Sequence, residues 1–170
     1  QLLANLVEKY YTKMPFETSH RDMLKITDDD RTRYGFIFGN GLVSNFLHVY
    51  YGTGNPSPTT AAVLLSKAVA GMPFGGKFAK EMIKPFRASL EFESGEVWPE
   101  HDYTTIIAST IEQIGLGFRP FIRCEEKPES FHMLAFTTSA ASLVAELPKI
   151  RMGLPLPEDK ARSRVSNKVT

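Results

Sequence analysis

Three carboxylates stand close together in Arg123-Cys124-Glu125-Glu126-Lys127-Pro128-Glu129-Ser130. A carboxylate on such a loop can serve as a general base once it comes within hydrogen-bond reach of the proton it removes. A solvated acidic loop is the alternative. Just upstream, Gly115-Leu116-Gly117-Phe118-Arg119 places two glycines and a cation in the same connection. Glycine lets backbone N–H groups approach a ligand closely, and loops held by a scaffold often carry function. The other candidate is Tyr34-Gly-Phe-Ile-Phe-Gly-Asn40-Gly41, an aromatic and β-branched run ending in two residues that tolerate positive φ. Leu42, Val43, Phe46, Leu47 and Tyr50 follow at helical spacing, which predicts a strand, a turn and a helix. An Asn-Gly hairpin turn inside a structural sheet is the competing interpretation.

Other chemistry-bearing residues form no recognisable constellation. His20, His48, His101 and His132 are scattered without metal-ligand spacing. His48 falls where its helix would be buried, which favours a structural role. Asp28-Asp29-Asp30 lacks the further oxygen ligands of a cation loop and reads as a solvated turn. Gly75-Gly76-Lys77 lacks the spacing of a phosphate loop and reads as a connector. Serine, histidine and aspartate are all present, but no nucleophile elbow is.

The elements that must position these residues follow from periodicity. Leu2, Leu3, Leu6, Val7 and Tyr10 share one face of a helix that Pro15 closes. Ser57-Pro58 caps and opens a helix over 58–70, with Ala61, Leu64, Leu65 and Ala68 inward and Gly71 ending it. Pro73-Phe74-Gly75-Gly76 is a loop, and Phe78, Ala79, Met82 and Ile83 continue as a short helix. Strands are expected near 23–27, 34–38, 87–93, 104–111, 131–137 and 162–170, with a hairpin turn at Ser94-Gly95. Ser139 caps a helix over 139–147 that Pro148 kinks or ends. Lys160, Arg162, Arg164 and Lys168 alternate along the last strand, a charged sheet edge or a contact for phosphates and lipid headgroups. The fold class is therefore α+β, mainly β: an antiparallel-rich sandwich with flanking helices.

Composition narrows the function. The 170 residues, 42% hydrophobic, can bury one sizeable core. A net charge of +1 carries no overall nucleic-acid signature. The single Cys124 excludes an internal disulfide and a cysteine-based zinc site, and favours a reducing compartment such as the cytoplasm. The start at Gln1 and the strand-like end at Thr170 lead us to expect a fragment, with residues 1–15 connecting to a missing N-terminal domain.

From Tyr34-Gly-Phe-Ile-Phe-Gly-Asn-Gly through the helical insertion, Lys84-Pro85-Phe86-Arg87-Ala88-Ser89-Leu90, and Gly115-Leu116-Gly117-Phe118-Arg119-Pro120 with its following strand and helix, the segment order resembles the C-terminal half of the diacylglycerol kinase and sphingosine kinase family. The resemblance covers residues 23–170. It implies a two-domain lipid kinase in which the N-terminal domain binds ATP and Mg through a Gly-Gly-Asp-Gly-Thr loop, a string this chain lacks. It implies a lipid substrate, a contact with the membrane surface, and a cleft bordered here by Asn40, Gly41, Gly115, Gly117 and Arg119. The family's lipid-side carboxylate belongs to an Asp-Gly pair before a strand. Here Pro128-Glu129-Ser130-Phe131 stands in that place, leaving Glu126 and Glu129 as candidates. The rival expectation is a non-catalytic β-sandwich that binds an apolar ligand or a protein partner.

Overall fold

A computed structural model describes residues 2–15, 18, 20–71, 76 and 82–170. Among these residues the chain runs α1 (Leu2–Tyr11), β1 (Leu24–Asp28), β2 (Arg31–Gly35), β3 (Ile37–Gly41), α2 (Leu42–Gly52) and α3 (Pro58–Gly71). It continues with β4 (Phe86–Glu91), β5 (Val97–Tyr103), β6 (Thr105–Ser109), β7 (Phe131–Phe136), α4 (Ala140–Met152) and β8 (Ala161–Ser166). All strand pairs are antiparallel. The fold is α+β, as the alternation predicted.

Among the described residues the central sheet has the order β3-β6-β7-β8, with β3 and β8 as edges and no closed barrel. Every residue of β6 and β7 is buried, because this sheet is covered on both faces. On one face Ile106, Ala108, Met133 and Ala135 meet Leu24 and the β4–β5 hairpin residues Phe92, Trp98 and Tyr103. On the other, Ile107, Leu134 and Phe136 meet Phe121, Cys124 and the α4 residues Leu143 and Ile150. Apolar burial on both sides is the main stabilising term, and it explains why these strands read as continuous rather than alternating apolar runs.

Tyr34–Phe38 is not one buried strand: Tyr34 lies in β2, Phe36 is a bend, and β3 begins at Ile37. Tyr34 is 63% exposed, since the β1–β2 hairpin stands with one side in solvent. The turn expected after Asp28 is only Asp29-Asp30, so Arg31–Arg33 pair with β1 instead of looping. Pro148 neither ends α4 nor stops its packing. The helix continues to Met152, carries Ile150 into the core, and ends at Gly153 in the left-handed conformation.

The expected caps are in place. Ser139 Oγ accepts the Ser142 N–H at 3.3 Å, and Ser57 Oγ accepts that of Thr60 at 3.1 Å. The loop expected at 73–76, the short helix at 78–83 and the Gly75-Gly76-Lys77 connector lie largely outside the described residues. On α1 the side chains of Leu3, Leu6, Val7, Tyr10 and Tyr11 are exposed. None of the described helices is long and apolar enough to cross a membrane.

Candidate functional site

The connection between β6 and β7 is a long loop tied down at intervals. Leu116 and Gly117 both take positive φ, 61° and 78°, so the chain reverses tightly there. Phe121 and Cys124 then anchor it in the core. Arg119 Nη2 donates to Glu112 Oε1 at 2.6 Å, and the Arg119 backbone N–H donates to the Ile150 carbonyl at 3.0 Å. Arg119 therefore spends its charge within its own loop.

The three carboxylates have distinct surroundings. Glu125 pairs with Arg21, from the segment before β1. Glu126 receives Arg123 Nε on Oε2 at 2.6 Å and Arg123 Nη2 on Oε1 at 3.1 Å. This two-pronged pair, chiefly through its hydrogen bonds, holds the Glu126 carboxyl below its ordinary range. Such a carboxylate is a weakened proton acceptor. Glu129 is different: its carboxylate enters no ion pair among the described residues. Its backbone sits at φ 52°, a conformation costly for an L-residue with a Cβ. Its N–H donates to Asp22 Oδ2 at 3.1 Å. Ser130 Oγ closes the turn on the Lys127 carbonyl at 2.7 Å, and β7 begins one residue later.

His132 and Ser163 are the residues that sequence reasoning missed. His132 lies on β7 and is 1% exposed, and its Nε2 stands 2.9 Å from Ser163 Oγ on β8. Arg123 Nη1 donates to the same hydroxyl at 3.4 Å. Burial first, and then the Arg123 charge, push the imidazole down to about 4, so it is neutral at pH 7. Among the described residues its Nδ1 is buried without a hydrogen-bond partner. The adjoining cavity, about 50 Å³, lies between Ile122, Leu134, Ile150 and Leu156. A histidine inside the apolar run Phe131–Phe136 was the available signal, since that run had to be buried on both faces. His48, by contrast, is exposed and not on the inner side of α2.

At the other candidate, β3 passes into α2 with no intervening hairpin. Gly41 is the helix N-cap at φ 65°, and a Cβ there would strike the Thr104 carbonyl and come within 2.7 Å of the Phe86 ring. The glycine serves close backbone packing. Asn40 Oδ1 accepts the Gly41 N–H at 2.8 Å, and the Asn40 carbonyl accepts the Thr105 hydroxyl at 2.6 Å. In the β3–β6 register Gly41 pairs with Thr105, whereas Gly115 and Gly117 follow the Ser109 end of β6. The Asn40-Gly41 junction and the Gly115–Gly117 loop thus leave the sheet from opposite strand ends.

Two cationic residues of β8 turn towards the hairpin. Arg162 stacks over Trp98, and Arg164 lies over Phe92 while pairing with Glu96. Among the described residues no group of three or more His, Cys, Asp or Glu is gathered to hold a metal ion.

Fold and site together define an α+β sandwich domain with a carboxylate-bearing turn directly before its central strand. Comparison with protein-family models, curated proteins and solved structures finds no match to this chain.

Proposed function

We propose that this chain is the acceptor-side domain of an ATP-dependent lipid kinase, with Glu129 as the carboxylate that takes the proton of the acceptor hydroxyl. The observation that carries this reading is the backbone of Glu129. The kinase resemblance calls for an Asp-Gly pair before a strand, and here a residue at φ 52° stands two positions before β7 although no glycine is present. The turn keeps a glycine-type conformation with a carboxylate on it. Glu126 is set aside because Arg123 occupies both of its oxygens.

On this reading Mg-ATP belongs to a separate nucleotide domain and would supply the phosphoryl group and its charge neutralisation. The contribution of this chain is to hold a carboxylate within reach of the attacking oxygen and to exclude water when the cleft closes.

The test is transfer of the γ-phosphoryl of ATP to diacylglycerol or a sphingoid base by the complete polypeptide. Glu129→Gln should lower kcat by at least about tenfold with little change in lipid KM, while Glu126→Gln leaves kcat within about twofold. Absence of transfer to either acceptor, or a Glu129→Gln enzyme of undiminished kcat, would overturn the proposal.

A further inference from the structure

The strand register sets the buried His132 beside a serine. His132 pairs with Val165 and Leu134 with Ser163, so His132 and Ser163 are diagonal neighbours on one face of β7 and β8. His132 Nε2 and Ser163 Oγ stand 2.9 Å apart. Phe121, itself fully buried, meets the imidazole edge to face with 6.0 Å between ring centroids, which holds the ring plane. The same hydroxyl faces Arg123. Glu126 takes the guanidinium Nε and Nη2, and Nη1 donates to Ser163 Oγ at 3.4 Å. With that donor aimed at Oγ, the serine's own hydrogen is left for His132 Nε2. Ser163 is exposed, so the pair is open to solvent from the serine side. Nδ1 has no partner among the described residues, and an unsatisfied buried polar atom calls for a reason, of which catalytic use is one.

We propose that Ser163 is an acyl-accepting nucleophile, with His132 as its general base, in a site that hydrolyses esters of short-chain carboxylic acids. The proposal is independent of the lipid-kinase reading and uses neither Glu129 nor ATP. A nucleophile and a base within hydrogen-bond reach, the base held by a third group, is the arrangement such chemistry needs. The cavity selects the substrate. It measures about 50 Å³, and Arg123, His132 and Ser163 line it together with Ile122, Leu134 and Leu156. A water takes about 30 Å³ of liquid, so an acyl group of two carbons fits against this apolar wall and a long chain does not.

In the first step the Ser163 hydroxyl proton passes to His132 Nε2 as Oγ bonds to the ester carbonyl carbon and the carbonyl π pair moves onto its oxygen. Arg123 supplies positive charge beside that oxyanion. The pair then returns, the bond from carbon to the alcohol oxygen breaks, and the alcohol leaves with the proton from His132. Water attacks the Ser163 ester in the same way, giving a proton to His132 that is returned to Oγ as the carboxylic acid departs. One ester and one water yield one acid and one alcohol. The imidazole is neutral at pH 7 and able to take the proton, while its burial makes the imidazolium costly and keeps turnover slow.

Hydrolysis of p-nitrophenyl acetate by the full chain at pH 7 tests the proposal, with acid quenching and peptide mass spectrometry to locate the acetyl group. The acetyl group is expected on Ser163, and the acetate ester should react at least about tenfold faster than the octanoate ester. Ser163→Ala should abolish the adduct and slow hydrolysis at least about tenfold, and His132→Gln should slow acetylation at least about tenfold. Leu156→Ala widens the cavity and should raise the rate on the butyrate ester relative to the acetate by about threefold or more. Circular dichroism accompanies each variant. Should the buried His132→Gln variant fail to fold, Ser163→Ala, which alters one exposed hydroxyl, still decides the matter. An acetyl group found only on other residues, hydrolysis undiminished in Ser163→Ala, or a chain-length preference unmoved by Leu156→Ala overturns the proposal.

Discussion

Replacing Glu129 by glycine should stabilise the domain while removing the carboxylate on which the proposed activity depends. At φ 52° an L-residue crowds its Cβ against the following carbonyl, at a cost of about 1–2 kcal/mol. Glycine relieves that crowding but loses about 0.5–1 kcal/mol through the greater freedom of the unfolded chain. The Glu129 side chain is exposed and enters no ion pair among the described residues, so little else is lost. The N–H that donates to Asp22 belongs to the backbone and survives the change. The net gain is about 0.5–1 kcal/mol, a rise in Tm of roughly 1–4 °C for a chain of this size. Scanning calorimetry at pH 7 measures it, with Glu129→Ala as the companion. Alanine removes the carboxylate but keeps the Cβ, so its Tm should stay close to that of the parent. A fall in Tm for Glu129→Gly would refute the reasoning. An equal rise in both variants would also refute it, because the strain would then be charge repulsion from neighbouring carboxylates and not backbone conformation.

Two further outcomes follow from the buried parts of the structure. His132 titrates near 4 in the folded chain against about 6.5 when unfolded. Between those values the unfolded chain binds the extra proton, so stability is full above pH 6.5 and falls by up to about 3 kcal/mol as pH drops towards 4. Urea unfolding at several pH values should show this slope, and His132→Gln should flatten it. Gly41→Ala should cost about 3 kcal/mol or more, since it combines a positive φ with collision against the Thr104 carbonyl and the Phe86 ring. A midpoint shift at unchanged m-value in urea would register that loss, whereas a change below about 1 kcal/mol would mean that the sheet edge yields.

The sequence by itself determined the elements whose signals are local. Alternation marked β4, the uninterrupted apolar runs marked β6 and β7, and Ser57-Pro58 and Ser139 marked helix starts through caps made within three residues. The acidic loop was legible for the same reason, as a run of carboxylates between predicted strands. Only the tertiary structure decided what each carboxylate does. Arg21 reaches Glu125 and Asp22 reaches Glu129 across more than a hundred residues, and no periodicity records such a pairing. Ser163 found His132 through strand register, and the β6 register parted Gly41 from Gly115 and Gly117. Pro148 marked a kink or an end of the helix by local rules, but with Ile150 packed in the core the helix runs on to Met152 despite the lost backbone hydrogen bond. Local propensity is worth tenths of a kcal/mol to a few kcal/mol per residue, whereas the partners of a charge depend on which distant surfaces the whole core brings together.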